Sequence, residues 1–179
     1  MNHNIPPIVL VFAGNDPSGG AGLGADIQAL ASQGCHTAPV ITCLTVQDTR
    51  NVYDNMPLSG CQVLAQAEAV LADLPIAVCK IGLLGSAEIV EAVQQILLKH
   101  PQLPVILDPV LAAGGGQPLA DVKLRQAMLE KLLPLVTILT PNSQEARQLT
   151  TATASLEAAA IRLMDYGCQF VCITGSHEE

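Results

Sequence analysis

The chain has 179 residues, of which 50% are hydrophobic and 2% aromatic, and its formal net charge is −8 at pH 7. This length predicts one domain spanning 1–179, and the acidic charge argues against a nucleic-acid partner, which needs a basic surface. Pro, Gly or charge interrupts every apolar run before the roughly 18 residues of a membrane span, and no Lys or Arg precedes the first run, so we expect neither a membrane anchor nor a secretory signal.

Six short apolar or β-branched runs are typical of buried strands, and amphipathic segments separate most of them. Such alternation predicts a mostly parallel sheet with helices on both faces, which is a three-layer α/β/α fold. The predicted strands are Ile8–Phe12, Ala38–Thr45, Ile76–Ile81, Val105–Leu107, Val136–Leu139 and Phe170–Ile173.

The starts of the helices are indicated by capping residues. Ser59 and Gln62 have the spacing of a capping box ahead of an apolar stripe. Ser86 is expected to cap a second helix that stops near His100–Pro101. The other predicted helices are Leu119–Leu132, a short helix after Asn142, and a helix from Ser155 to Gly167.

The six cysteines include no Cys-x-x-Cys pair. Four of them lie in apolar, strand-like surroundings, so we expect reduced core residues and a cytoplasmic protein. These four are Cys43, Cys79, Cys168 and Cys172.

The segment Ala13–Gly24, AGNDPSGGAGLG, directly follows the first predicted strand. Five glycines in twelve residues exceed what one tight turn requires, and glycine lets backbone N–H groups approach a ligand closely. A glycine-rich turn without a ligand is the alternative interpretation. We expect a binding site here.

Polar residues follow every predicted strand. In open parallel sheets ligands bind beyond the C-terminal ends of the strands, so these residues predict a cleft that handles a phosphate or a nucleotide. The strand ends are Gly14–Asp16, Thr45–Asp48, Lys80–Gly82, Asp108–Val110, Thr140–Asn142 with Glu145 beyond, and Thr174–His177.

Some of these residues also have a purely structural explanation. Asn142 and Glu145 have the spacing of a helix-capping pair, and Asp108 before Pro109 is compatible with a simple turn. Lys80 lies between two apolar residues of a strand, where a lysine requires a partner.

The standard nucleotide-binding motifs are absent or displaced. No glycine is followed by lysine, which excludes a P-loop. The run Gly20–Ala25 matches the dinucleotide fingerprint, but seven residues separate it from Phe12, whereas the fingerprint opens directly after a strand. Asp48 stands near the place of a ribose-binding acid, so an NAD-dependent oxidoreductase remains an alternative.

Six segments together resemble the hydroxymethylpyrimidine/phosphomethylpyrimidine kinases of thiamine biosynthesis, which belong to the ribokinase-like superfamily beside the pyridoxal kinases. The segments occur in the order and spacing of that family and extend over essentially the whole chain. They are AGNDPSGGAGLGADIQA, VITCLTVQDT, KIGLLGS, ILDPVLAAGGG, LTPNSQEA and ITGSH.

The resemblance implies a ribokinase-like fold and phosphorylation of 4-amino-5-hydroxymethyl-2-methylpyrimidine and its monophosphate, with ATP and Mg²⁺. Gln47 would match the aminopyrimidine edge with its amide, and Asp26 would hold the hydroxymethyl group. The implied pyrimidine pocket comprises Gly14, Ala21, Asp26, Gln47, Leu83 and Val110. The implied ATP side comprises Asp108, Asn142, Glu145 and Thr174, with Asp108 and Glu145 as ligands of Mg²⁺.

The sequence departs from the family pattern in two places. Members often have Lys-Gly-Gly-His where this chain has Thr174–His177, which removes a cation near the ATP phosphates. The family's Gly-Thr-Gly-Cys segment, with the anion hole and presumed base, has no counterpart up to Glu179, so the resemblance implies that the base lies beyond Glu179. We therefore assign no catalytic base, and we expect the chain alone to bind the pyrimidine weakly, to transfer no phosphate and to self-associate.

The protein is expected to be a homodimer. A pyridoxal kinase and a non-catalytic pyrimidine- or pyridoxal-binding domain are the alternatives to a pyrimidine kinase, because pyridoxal and the pyrimidine both carry a hydroxymethyl group on an aromatic ring.

Overall fold

The computed structural model of the chain describes residues 6–114, 116–150 and 155–175. Over these ranges seven strands form one sheet in the order β3-β2-β1-β4-β5-β6-β7. Every neighbouring pair is parallel except β2–β3, which is antiparallel. The strands are β1 (Ile8–Asn15), β2 (His36–Gln47), β3 (Val52–Pro57), β4 (Ile76–Ile81), β5 (Val105–Leu107), β6 (Ile138–Leu139) and β7 (Phe170–Val171).

Helices connect the strands and cover both faces of the sheet, as predicted. They are α1 (Gly22–Ser32), α2 (Gly60–Asp73), α3 (Ala87–Lys99), α4 (Val122–Ala127), α5 (Ser143–Thr150) and α6 (Leu156–Met164). After α4 the chain continues through a π-helical turn, Met128–Leu132, and a 3-10 turn, Leu133–Leu135.

Alternate residues of the central strand β1 belong to two separate cores. Leu10 and Phe12 are fully buried in the large core against α2 to α6. Val9 and Val11 point to the opposite face, where Leu23 of α1 packs on them. Because β1 is buried on both faces, it reads as a continuous apolar run and not as an alternating one.

The N-caps predicted at Ser59 and Ser86 are confirmed. Ser59 and Gln62 form a reciprocal capping box, in which Ser59 Oγ accepts from Gln62 N at 3.3 Å and Gln62 Oε1 accepts from Ser59 N at 2.9 Å. Ser86 caps α3 and Ser155 caps α6 through their side chains. Each cap satisfies a backbone N–H that the first helical turn leaves without a partner.

The bounds of several elements differ from the predictions, and β1 and β2 are longer than expected, ending at Asn15 and Gln47. The helix expected from Leu119 begins at Val122, because the Asp121 carboxylate caps it by accepting from Leu124 N at 2.7 Å. Strand β3 was not predicted at all, since its residues are mostly exposed and show no regular apolar alternation. Strands β6 and β7 have two residues each, shorter than predicted, and helix α6 ends at Met164, before Gly167.

The prediction for the cysteines is correct for three of the four. Cys43, Cys79 and Cys168 are buried, and burial raises the pKa of the Cys79 thiol to about 12. Cys172 is exposed, because it follows the short strand β7 at the edge of the described sheet. In the described part of the chain no helix is long and apolar enough to span a membrane.

Candidate functional site

A cavity of about 310 Å³ lies beyond the C-terminal ends of β1, β2, β4 and β5. Its volume is at the lower end of the roughly 300–1,000 Å³ that is usual for small-molecule sites. The fold brings seven predicted site residues together on its wall, from five separate segments. They are Gly14, Ala21, Asp26, Gln47, Leu83, Asp108 and Val110.

The glycine-rich loop is held in shape by Asp16, the last residue of the predicted strand end Gly14–Asp16. This carboxylate is only 7% exposed and accepts from Ser18 N at 2.7 Å, Ser18 Oγ at 2.9 Å and Ala21 N at 2.9 Å. The three hydrogen bonds turn the loop back on itself and set Ala21 against the cavity. The Asp-Pro-Ser order is a signal for such a turn, because Asp side chains bond to the backbone two residues on.

Gly22 lies in direct contact with the end of β1. Its φ is +55°, and a Cβ at this position would stand 2.3 Å from the carbonyl oxygen of Gly14. Both the backbone conformation and the contact require glycine. The loop is therefore packed onto the strand end beside the cavity, which favours a site over a free glycine-rich turn.

Lys80 has the partner that its place in a strand requires. Its ammonium group lies 2.9 Å and 2.8 Å from the two carboxylate oxygens of Asp26, and the two side chains are 22% and 20% exposed. A Cβ on Gly82 would stand 2.9 Å from Lys80 Nζ, so glycine leaves room for the ammonium group. Asp26 is thus an ion-pair partner on the cavity wall.

Asp108 is the third charge of this group. Burial raises the pKa of the Asp108 carboxyl, while the nearby Lys80 lowers it and the nearby Asp26 raises it. One ammonium group therefore lies among two carboxylates, and the cavity carries excess negative charge when both are ionised. Such an arrangement attracts a cation, since buried charges of one sign are costly without a counter-ion.

Gln47 extends from the end of β2 and is half-buried on the cavity wall. Its Oε1 lies 2.8 Å from the hydroxyl of Thr45, which itself lies 2.9 Å from the Asn15 carbonyl oxygen. Thr45, which belongs to the predicted strand end Thr45–Asp48, is 8% exposed and also lines the cavity.

The remaining predicted residues lie outside the cavity wall. Asn142 and Glu145 form the capping pair of α5, since Asn142 Oδ1 accepts from Glu145 N at 2.9 Å and Glu145 Oε2 accepts from Asn142 N at 2.8 Å. Glu145 Oε1 also accepts from Leu111 N at 3.4 Å, next to Val110 of the cavity. Thr174 is exposed and pairs with Asn142 in a parallel bridge.

Asn142 and Glu145 thus have the helix-capping role that explains them structurally. Their role toward a nucleotide stays a prediction. Within the described ranges no group of three or more His, Cys, Asp or Glu side chains is arranged to hold a metal ion.

Some of the predictions concern the last residues of the sequence. Ser176 and His177 of the predicted strand end lie outside the described residues, and so does Glu179. The expectation that the family's base lies beyond Glu179 is therefore not tested by the structure, and it stays a prediction.

Asp48 has a local structural role. Its Oδ1 accepts from Arg50 N at 2.8 Å and Asn51 N at 2.9 Å, and its Oδ2 accepts from the Tyr53 hydroxyl at 3.0 Å. These hydrogen bonds, with that from Asn51 contributing most, lower the pKa of Asp48. The residue closes the β2–β3 turn, which explains it without a ribose.

Sequence reasoning missed Val52 and Leu119 of the cavity wall. Val52 belongs to the unpredicted β3, where it pairs with Gln47. The one available signal is the turn-forming run Asp48–Asn51 followed by the strand-favouring pair Val-Tyr. Leu119 lies in a segment that was predicted as helix.

Comparison with known proteins agrees with this geometry. The sequence profile of a family described as phosphomethylpyrimidine kinase matches residues 16–179. A hydroxymethylpyrimidine/phosphomethylpyrimidine kinase of Haemophilus influenzae is 42% identical over 173 residues, which are 94% of this chain and 64% of that protein. A Salmonella typhimurium protein of the same name is 37% identical and is covered to 66%.

Solved structures give the same result for the fold. A phosphomethylpyrimidine kinase from Clostridium difficile 630 has a TM-score of 0.88 and 31% identity, covering 96% of this chain and 76% of that one. The Staphylococcus aureus pyridoxal kinase in complex with pyridoxal has a TM-score of 0.84 and 30% identity, covering 96% and 64%. The ribokinase-like fold is therefore confirmed.

The chain spans a little under two thirds of the length of the Haemophilus and Salmonella proteins. The family match covers nearly all of the chain, from Asp16 to Glu179, and includes the residues around the cavity from Asp16 onward. Helix α1 begins at Gly22, inside the run Gly20–Ala25 that matches the dinucleotide fingerprint. The family match already accounts for this glycine loop without a dinucleotide-binding family. The chain belongs to the phosphomethylpyrimidine kinase family.

Proposed function

We propose that the protein is an ATP-dependent kinase that phosphorylates 4-amino-5-hydroxymethyl-2-methylpyrimidine, and then its monophosphate, in thiamine biosynthesis. One observation carries the proposal: in a chain of this family, the residues implied for the pyrimidine pocket meet in one cavity beside the Lys80–Asp26–Asp108 charge group. The activity, the substrates and the partners all belong to this proposal.

The shape and chemistry of the cavity support a single small ring as the substrate. Its volume of about 310 Å³ holds one substituted ring and little more. Ala21, Leu83 and Val110 supply an apolar wall, and the Gln47 amide supplies the hydrogen-bonding groups that an aminopyrimidine edge needs. Asp26 and Lys80 supply the polar groups for a hydroxymethyl substituent.

The charge at the cavity supports a phosphoryl-transfer site. Bound Mg²⁺–ATP would supply the γ-phosphoryl group with its charge partly neutralised. Asp108 fits a magnesium-side carboxylate, because oxygen ligands suit Mg²⁺ and no hydrogen bond to this carboxylate is found within the described residues. Lys80 keeps Asp26 fixed on the side where the hydroxyl would lie.

The segment around α5 supports a nucleotide at the adjoining strand ends. Asn142 and Thr174 lie side by side there, and Glu145 fixes the backbone at Leu111. In this proposal Asn142, Glu145 and Thr174 line the ATP side, with Glu145 as a second magnesium ligand that exchanges one of its backbone contacts for the ion.

A pyridoxal kinase is the second candidate, because the Staphylococcus aureus protein, which is described in complex with pyridoxal, superposes with a TM-score of 0.84. Pyridoxal also presents a hydroxymethyl group on an aromatic ring. A binding domain without catalytic activity is a third candidate for these 179 residues. We expect pyridoxal to bind more weakly than the pyrimidine.

Calorimetric titration of the purified chain with the hydroxymethylpyrimidine, with pyridoxal and with NADH tests the ligand. Saturable binding that is tightest for the pyrimidine supports the proposal, whereas tighter binding of pyridoxal reverses the order of the candidates. The reaction is tested on the complete product of the gene that encodes these residues, by mass-spectrometric detection of the phosphorylated pyrimidine with ATP and Mg²⁺. If the pyrimidine binds but no phosphorylated product forms, the binding domain without catalytic activity is the remaining candidate.

We also propose a homodimer in the cytoplasm. Exposed Leu44, Val46 and Met56 on the β2–β3 ribbon, where Leu44 pairs with Met56, support self-association. The buried thiols of Cys43 and Cys79 support a reducing compartment. Sedimentation equilibrium of the chain and of Leu44→Ser tests the dimer, and a monomer at all concentrations for the unsubstituted chain refutes it.

A further inference from the structure

The hydroxyl of Thr45 lies within hydrogen-bond distance of two oxygen atoms. One is the backbone carbonyl oxygen of Asn15, at 2.9 Å, and the other is Oε1 of Gln47, at 2.8 Å. A hydroxyl group has a single proton, so it donates to one of them only. The other oxygen would then face Thr45 Oγ1 with no proton between them, which is repulsive.

Rotation of the Gln47 amide by 180° removes this conflict. The rotation exchanges Oε1 and Nε2, so that Nε2 donates to Thr45 Oγ1 and Thr45 donates onward to the Asn15 carbonyl. The direction of this relay is fixed, since a carbonyl oxygen only accepts. Asn15 is the last residue of β1, and its carbonyl is therefore held by the sheet.

The relay decides which atom of Gln47 remains for a ligand. With Nε2 engaged by Thr45, the carbonyl Oε1 is the amide atom turned away from Thr45 and available to the cavity that both residues line. In the described part of the chain the Gln47 side chain has no other hydrogen-bond partner than Thr45. A half-buried carbonyl oxygen without a partner favours a ligand that brings a donor.

We propose that Thr45 is a positioning residue that orients the Gln47 amide with its oxygen toward the cavity, and so selects rings that carry a hydrogen-bond donor beside the hydroxymethyl group. This inference rests on the proposed function. In the pyrimidine that neighbouring group is an amino group, which donates. In pyridoxal it is an aldehyde, whose oxygen would face the Gln47 oxygen and repel it.

The first experiment uses the unsubstituted protein and two ligands that differ in one group. Calorimetry compares 4-amino-5-hydroxymethyl-2-methylpyrimidine with its 4-methoxy analogue, in which an acceptor replaces the amino donor and no ring nitrogen gains a proton. We expect the amino compound to bind at least about tenfold more tightly, which is the scale of one mispaired buried polar group. Equal binding, or tighter binding of the methoxy compound, overturns the proposal, and binding of neither compound overturns the proposed function with it.

The second experiment removes the hydroxyl of Thr45. Thr45→Val is isosteric and leaves Gln47 free to rotate, so the amino-to-methoxy preference should fall about fivefold or more, while Thr45→Ser should keep it within about twofold. Thr150→Val is the matched control, because Thr150 is also buried and donates to a backbone carbonyl, Ala146 O at 2.8 Å, far from Gln47. It should leave the preference unchanged.

The readout is a ratio of two affinities, which a general loss of folded protein does not alter. A Thr45→Val protein with an unchanged ratio refutes the role of Thr45 even if it is less stable. If Thr45→Val does not fold, the Thr45→Ser variant and the ligand pair on the unsubstituted protein still decide, since a lost preference in Thr45→Ser contradicts a role for the hydroxyl.

Discussion

Removal of the Lys80 ammonium is expected to destabilise the protein through the charges that it leaves behind. In Lys80→Met the carboxylates of Asp26 and Asp108 lose a nearby cation, which in the unsubstituted protein lies 2.8 Å from Asp26 and lowers the pKa of Asp108. Breaking a fully buried ion pair costs about 3–5 kcal/mol, and breaking an exposed one about 0–1 kcal/mol. With side chains 22% and 20% exposed, this pair lies between these cases, so we expect a loss of about 1–3 kcal/mol.

Urea denaturation at neutral pH measures the loss, and Lys99→Met is the matched control. Lys99 also forms an ion pair, 2.6 Å from Glu68, but the two side chains are 60% and 53% exposed. The control should therefore lose at most about 1 kcal/mol. If Lys80→Met is no less stable than Lys99→Met, the reasoning is wrong. Adding Asp26→Asn to Lys80→Met should restore part of the loss, because it removes one of the uncompensated charges.

The stability of the protein and of Lys80→Met should depend on pH in a defined direction. Asp108 has a pKa raised by burial in the folded protein, so its ionisation lowers stability as the pH rises from the unfolded pKa through the folded pKa. Lys80 counters this by lowering the pKa of Asp108. Without Lys80 that pKa rises further, and the deficit of Lys80→Met should be largest at neutral pH and smaller in acid. A deficit that grows in acid contradicts this account.

Three further outcomes are expected. Gln47→Leu should leave polar atoms of the pyrimidine buried without partners, which costs roughly 2–3 kcal/mol, or about 30- to 150-fold in affinity; unchanged affinity by calorimetry removes Gln47 from the pocket. Gly22→Ala should lower the free energy of unfolding by about 2 kcal/mol or more, because its Cβ would lie 2.3 Å from Gly14 O at a φ of +55°. Thermal unfolding measures this loss, and Gly114→Ala is the control, which should be neutral because nothing lies within 4 Å of a Cβ at this exposed position. Asp16→Ala should release the three hydrogen bonds of the glycine loop, increase amide hydrogen exchange at Ala21 and weaken pyrimidine binding; exchange as slow as in the unsubstituted chain would contradict the role of Asp16.

The fold class, the helix caps and most of the cavity could be predicted from the amino-acid sequence. Apolar runs without alternation predict strands covered on both faces, and β1 is such a strand. The capping residues Ser59, Ser86 and Ser155 act over three residues, so their role is local and is readable from spacing. The glycine loop and the strand ends also pointed to the correct edge of the sheet, because chain topology alone brings parallel strand ends together.

Which polar groups meet could not be predicted from local sequence and follows from the folding of the chain. Asp26 and Lys80 are 54 residues apart, and nothing in either segment indicates that they pair at 2.8 Å. Strand β3 was not predicted because its residues are mostly exposed and show no regular apolar alternation, and its pairing with β2 depends on a turn. The hydrogen bond from Thr45 to Asn15 O likewise spans 30 residues, and it is this contact that orients Gln47. Local patterns report burial and caps, whereas the partners of a side chain across the sheet are set by how the strands are ordered and aligned.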